Sequence, residues 1–180
     1  MTESPRPVPR VLVAAVTAGR GRATDEAAKS AAEEVRSANF ILVRSVVVRG
    51  EPEYIRQLVS HVSNGNEADA MIMLGGVGLG PRDLTCDALD SFFERHVEGF
   101  GHAYRQLLRD EFNVGPMALL ARASAGIYNR CLVYALPIHL TQMKRAIQTL
   151  ILPTLAEAVD LATGRGMHAP RPSDPPVSVP

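Results

Sequence analysis

Three short apolar runs, set apart by helical stretches, restrict the possible fold more than any other feature of this chain. They are residues 11–16 (VLVAAV), 70–74 (AMIML) and 131–136 (CLVYAL). Each has strand length, and each is apolar at every position rather than at alternate ones. Such strands need cover on both faces. A fourth run, residues 40–48, includes Arg44 and Ser45 and reads as a less completely buried strand. Helical patterns lie between these runs. Residues 24–37 are rich in Ala and Glu, with Thr24 or Asp25 as N-cap. Residues 53–62 place Ile55, Leu58, Val59 and Val62 at helical spacing. Helices are also expected over residues 87–96 and 103–112. Leu140, Met143, Ile147, Leu150 and Ile151 form one stripe ahead of Pro153, and residues 154–161 continue as helix. This alternation predicts an α/β fold with a mainly parallel central sheet covered on both sides.

The length, 180 residues, suits one compact domain. Prolines mark its limits. Residues 1–9 carry Pro5, Pro7 and Pro9 and are expected to be a disordered N-terminal arm. Residues 10–163 form the folded unit. Residues 164–180 hold Pro170, Pro172, Pro175, Pro176 and Pro180 and are expected to be a flexible Pro-rich tail. Nineteen basic and nineteen acidic residues cancel, which argues against a nucleic-acid partner and against a polybasic membrane surface. With aromatics at 5% and no Trp, recognition by stacked aromatic platforms is excluded. No apolar run reaches the roughly 18 residues of a membrane span. The first ten residues lack the apolar stretch of a secretory signal. Cys86 and Cys131 lack metal-like spacing and read as reduced thiols, which points to a cytoplasmic protein.

In a sheet of this type, ligands bind beyond the carboxyl ends of the strands. That directs attention to residues 17–22, 49–51, 75–83 and 137–140. The third segment is the most informative. Gly75, Gly76, Gly78 and Gly80 fall within six residues, between a buried strand and a helix. Glycine permits positive φ and close approach of a ligand to the backbone. Free N–H groups there suit phosphate or another anion. No Lys follows, so the loop is not a P-loop, and it is not a clean GxGxxG either. A sharp strand-to-helix turn is the plainer reading. Asp83 and Thr85 are each candidates to cap the next helix. Asp83 is also a candidate to hold a metal ion or a polar ligand group. Arg82 is either a phosphate partner or a solvated charge.

The strings GGVGLGPRDLT (residues 75–85), GFGHAYRQL (99–107) and ARASAGIYNRCLVYALP (121–137) resemble, in order and spacing, the molybdopterin-binding domain family of MoaB, MogA and gephyrin G-domain type. The resemblance runs from about residue 10 to residue 161. It implies a three-layer α/β/α fold, assembly as a homo-oligomer (usually a trimer), and binding of molybdopterin or another small anionic ligand at the strand ends. On this resemblance Gly75, Gly76, Val77, Gly78, Gly80, Pro81, Arg82, Asp83, Pro137 and Ile138 form the ligand site. Active members use ATP and Mg²⁺ to adenylylate molybdopterin, and here only Asp83 and Glu51 are placed to hold such a metal.

The departures from the family pattern share a direction. Ala15-Val16 stands at a Ser-Asp position, Gly50 at an acidic one, Val77 at a Thr and Ala121 at a Ser. His102 stands at a Glu, and Ile138-His139-Leu140 replaces Gly-Ser-Pro. Hydroxyls and carboxylates have given way mostly to apolar groups. His102 and His139 both fall at pocket positions, where a pair of imidazoles would serve acid–base chemistry near neutral pH; rim or surface histidines are the plainer reading. The other histidines, His61, His96 and His168, show no zinc spacing. Three readings follow. One is a molybdopterin-binding protein of molybdenum cofactor biosynthesis, adenylyltransferase-like. The second is the same fold repurposed as an enzyme on a less polar substrate. The third is a non-catalytic oligomeric interaction protein.

Overall fold

The computed structural model describes residues 7–17 and 22–165 of the chain. Residues 1–6 of the expected arm, 166–180 of the expected tail, the loop after the first strand and His168 lie outside the described residues. The elements run β1 (Arg10–Thr17), α1 (Arg22–Ser37), β2 (Ile41–Arg49), α2 (Pro52–Asn64), β3 (Ala70–Leu74), α3 (Thr85–Asp90), β4 (Arg95–His96), α4 (Gly99–Phe112), β5 (Ser124–Tyr128), β6 (Cys131–Leu136), α5 (Leu140–Ala146) and α6 (Leu152–Thr163). A 3₁₀ segment, Gly115–Leu120, follows α4, and a π-helical segment, Ile147–Ile151, joins α5 to α6.

One six-stranded sheet is ordered β2-β1-β3-β6-β5-β4. The first four strands are parallel, and β5 and β4 are antiparallel additions. Side chains alternate across a strand, so the all-apolar strands feed two cores. Val11, Val13, Ala15, Ile72, Leu74, Tyr134 and Leu136 pack with α1, α4, α5 and α6. Leu12, Ala14, Val16, Met71, Met73, Val133 and Ala135 pack on the other face with α2 and α3. The result is the expected three-layer α/β/α arrangement. β2 is an edge strand with much of its length exposed, in keeping with its Arg44 and Ser45.

Several expectations are corrected. The helix expected over residues 87–96 is only the six-residue α3, after which the chain turns into β4. β5 escaped notice because Ser124-Ala125-Gly126 has no apolar run. Gly126 is required there, since a Cβ would strike the Phe93 ring and the Arg95 carbonyl. Thr24 and Asp25 do not cap α1; the helix already includes Arg22, and Thr24 is buried. Pro9 is buried at the entry to β1, and its carbonyl accepts from the Ile41 amide at 3.1 Å. The apolar stripe after residue 140 is continuous, but the backbone passes through a π segment just before Pro153, whose ring cannot donate to a regular helical ladder.

At the amino end of the sheet Asp69 accepts from the Arg10 backbone amide at 2.8 Å and from its Nε and Nη2, both at 3.2 Å. Burial works to raise the Asp69 carboxyl, but the Arg10 hydrogen bonds prevail and hold it below the ordinary carboxylate range. A depressed carboxyl contributes stability that is present above its unfolded value and is lost as pH falls through its folded value. Urea denaturation of Asp69→Asn should therefore show a smaller loss of stability below about pH 4 than the parent chain. Tyr104 offers a second test. It is fully buried, burial pushes its phenol up to about 12, and its hydroxyl has no hydrogen-bond partner among the described residues. Tyr104→Phe keeps the ring and removes the unpaired group. It should leave stability unchanged or raise it by about 1 kcal/mol in the same assay.

Candidate functional site

The order of the sheet locates the crevice. From β1 the chain runs outward to β2, then returns to place β3 on the other side of β1. The connections therefore diverge beyond the carboxyl ends of β1 and β3, which is the usual ligand position in such sheets. A cleft of about 300 Å³ opens there, lined by Val16 and Thr17 of β1, Gly50, Gly75, Gly76, Arg82, Asp83 and Ile138 among others. That volume is at the lower end of small-molecule sites, roughly 300–1,000 Å³. A larger hollow of about 940 Å³ lies at the opposite end of the sheet. Size alone does not assign the site. The smaller cleft holds the glycine loop and stands at the switch point, so it is the candidate.

Gly75 extends the ladder, its amide donating to the Leu136 carbonyl at 2.8 Å. The backbone then bends through Gly75 (φ 103°) and Gly76 (φ 63°). A Cβ on Gly75 would lie 2.8 Å from the Val16 carbonyl oxygen, and one on Gly76 would lie 2.5 Å from Thr85 Oγ1. Both the left-handed backbone and the close packing demand glycine. Thr85 holds the bend from beneath. It is fully buried, its hydroxyl donates to the Gly75 carbonyl at 2.8 Å, and its amide donates to the Gly76 carbonyl at 2.8 Å.

Asp83 braces the outer half of the loop rather than capping α3, whose N-cap is Leu84. Its Oδ2 accepts from the Gly80 amide at 3.1 Å, and its own amide donates to the Gly80 carbonyl at 3.0 Å. Gly78 and Gly80 are small because this carboxylate lies against them; a Cβ on either would approach Oδ2 to 2.5 and 2.8 Å. The loop therefore spends the amides of Gly75 and Gly80 internally. Among the described residues, the amides of Gly76, Val77, Gly78 and Leu79 donate to no protein acceptor. Arg82 is exposed at the cleft, with no ion-pair partner among the described residues. With six residues, α3 is too short for its dipole to carry the binding of an anion.

Arg122 was not singled out in the sequence, yet it ties the loop to α3. Its guanidinium donates to the Gly78 carbonyl at 3.3 Å and, in a fork, to Asp87 at 3.1 and 2.9 Å. This fork holds the Asp87 carboxyl below its ordinary range. Nearby, the Ser124 hydroxyl donates to Asp90. Arg122 sits in the ARASAG string, so the string was visible but the partner across 44 residues was not.

The remaining candidates divide. Ile138 enters the cleft and packs over Gly75, with Pro137 beside it. Pro81 is exposed on the loop's outer turn. The Val77 side chain is turned away into the core with Val16, Cys86 and Ala88, so its substitution changes packing beneath the loop. His139 is exposed at the N-cap of α5, and His102 is exposed on the first turn of α4; neither lines the cleft. Glu51 is exposed, 4.0 Å from Arg49, and also lies outside the lining. Cys86 follows Thr85 into α3, but burial pushes its thiol up to about 12, opposite to the lowering expected of a helix N-terminus.

Replacing Thr85 with Val keeps the shape and strands the Gly75 carbonyl. Thr85→Val should cost about 1–3 kcal/mol in urea denaturation, and Thr85→Ser, which keeps the hydroxyl, should recover most of it.

The sequence model described as "Probable molybdopterin binding domain" matches residues 10–157. Molybdenum cofactor biosynthesis protein B of Escherichia coli is 30% identical over 146 residues, covering 81% of this chain and 85% of that protein. The "Probable molybdopterin adenylyltransferase" of Methanocaldococcus jannaschii is 31% identical over 102 residues, which is 57% of this chain and 61% of its own. A crystal structure of Molybdenum cofactor biosynthesis protein B superposes with a TM-score of 0.82 at 24% identity, over 89% of this chain and 99% of that one.

Proposed function

Since this chain belongs to the molybdopterin-binding domain family, we propose that it binds molybdopterin in the β1–β3 cleft as a protein of molybdenum cofactor biosynthesis. The observation that carries the reading is the meeting, at one cleft, of the Gly76 amide, which has no protein acceptor among the described residues, with an Arg82 that has no ion-pair partner there. Molybdopterin bears a phosphate. The amide of Gly76 and the Arg82 guanidinium are the donors for that phosphate. Ile138 and Val16 supply the apolar side of the cleft for the pterin. The carboxylate of Asp83 serves the loop by holding Gly78 and Gly80 in place.

Adenylyl transfer with ATP and Mg²⁺ is the finer reading, favoured by the printed name of the M. jannaschii relative. The donor set does not fit a resident magnesium ion. Among the described residues no three metal-capable side chains converge. Asp83 Oδ2 is committed to the Gly80 amide, Gly50 brings no side chain, and Glu51 stands outside the cleft beside Arg49. Magnesium is commonly held by one or two carboxylates with substrate phosphates. Ligand binding in this reading rests on the chain's own residues. The homo-oligomer expected of the family, usually a trimer, belongs to the same proposal.

Titration of the purified chain with molybdopterin tests it. Saturable binding is expected, weakened about tenfold or more by Arg82→Ala. Incubation with ATP and Mg²⁺ should yield little adenylylated pterin, and Gly50→Asp should raise that yield. Absence of molybdopterin binding, under conditions where an active member of the family binds it, would refute the assignment.

A further inference from the structure

We infer that the hollow of about 940 Å³ at the amino ends of β1, β3 and β6 is a second anion site, built for a small phosphate-bearing ligand. It is remote from the glycine loop and independent of the molybdopterin reading. Arg10, Arg130 and Arg165 line it against a single carboxylate, Asp69. Arg10 and Arg165 share that carboxylate, with Arg165 Nη2 3.5 Å from Oδ1. Arg130 has no ion-pair partner among the described residues. The nearby Glu94 faces the turn from β4's side, but its carboxylate takes the Asn129 amide at 3.1 Å and does not line the hollow.

The backbone at Arg130 is the telling detail. Tyr128 pairs with Cys131, and the two residues between them, Asn129 (φ 43°) and Arg130 (φ 67°), both have positive φ. This is the type I′ hairpin, whose second central position strongly favours glycine. A bulky cation sits there instead, at a conformational cost, and is presented at the mouth of the hollow. Strain of this kind persists where the side chain has a use. Ser63 closes the wall of the hollow from the last turn of α2, more than nine-tenths buried beside the Cys131 thiol. An unpaired guanidinium beside two further arginines that share one carboxylate suits the several acceptor oxygens of a phosphate or diphosphate.

Calorimetric titration of the full chain with inorganic pyrophosphate at constant ionic strength tests this. The titration is repeated in Arg82→Ala, which disables the loop cleft, and in Arg82→Ala combined with Arg130→Gly. Arg130→Gly suits the left-handed backbone, so thermal stability should stay the same or rise, and misfolding does not confound the result. A site that persists in Arg82→Ala and weakens about tenfold or more on adding Arg130→Gly is the expected result. No pyrophosphate binding in Arg82→Ala, or binding indifferent to Arg130→Gly, would overturn the inference while leaving the molybdopterin assignment to its own test.

Discussion

Burial of β1, β3 and β6 on both faces is the constraint from which the remaining structure follows. Because every side chain of β3 and β6 and nearly every one of β1 is buried, helices must cover both sides of the sheet, and the parallel strands must be joined by crossovers. Parallel strands place all their carboxyl ends at one edge. The reversal of direction around β1 then opens a crevice at that edge. Residues from five separate segments (Val16-Thr17, Thr24, Gly50, the glycine loop through Gly75, Gly76, Arg82 and Asp83, and Ile138) meet there without the segments needing to be near one another in sequence.

The loop at this edge is preorganised from three directions. Thr85 holds Gly75 and Gly76 from below, Asp83 holds Gly78 and Gly80 from within, and Arg122 holds the Gly78 carbonyl from β5's approach. Each contact uses a polar group to satisfy backbone that the bend would otherwise leave unpaired. In a loop fixed this way the amides of Gly76 to Leu79 are left without a protein acceptor among the described residues. Asp83 thus has a structural duty that its position in the motif does not reveal. A carboxylate lodged against two glycines has less freedom to serve as a metal ligand than an exposed one.

Much of the fold was legible because its signals are local. The apolar runs at residues 70–74 and 131–136 coincide with β3 and β6, and those at 11–16 and 40–48 fall within about a residue of β1 and β2. The failures have equally physical causes. β5 pairs through Ser124, Ala125 and Gly126, residues of low strand propensity, and Gly126 leaves the room that the Phe93 ring occupies. Asp87 to His96 looked like one helix, but the chain leaves α3 after Asp90 to pair Arg95 with Ile127. Val77 stood at a position that the motif assigns to the site, yet its side chain was drawn inward by the hydrophobic core. His102 and His139 are both exposed and outside the cleft, in keeping with the plainer reading of them as surface histidines.

What the amino-acid order determined by itself was the α/β class, the positions of the buried strands and the glycine bend. These rest on hydrophobic periodicity and on the φ angles only glycine adopts easily, both of which act over a few residues. Tertiary structure alone decided that Asp83 would close on Gly80, that Arg122 would reach Asp87 and Gly78, and that Ser63 and Arg130 would face one hollow. Those outcomes depend on distances between groups far apart along the chain, and such distances come into being only when the sheet assembles.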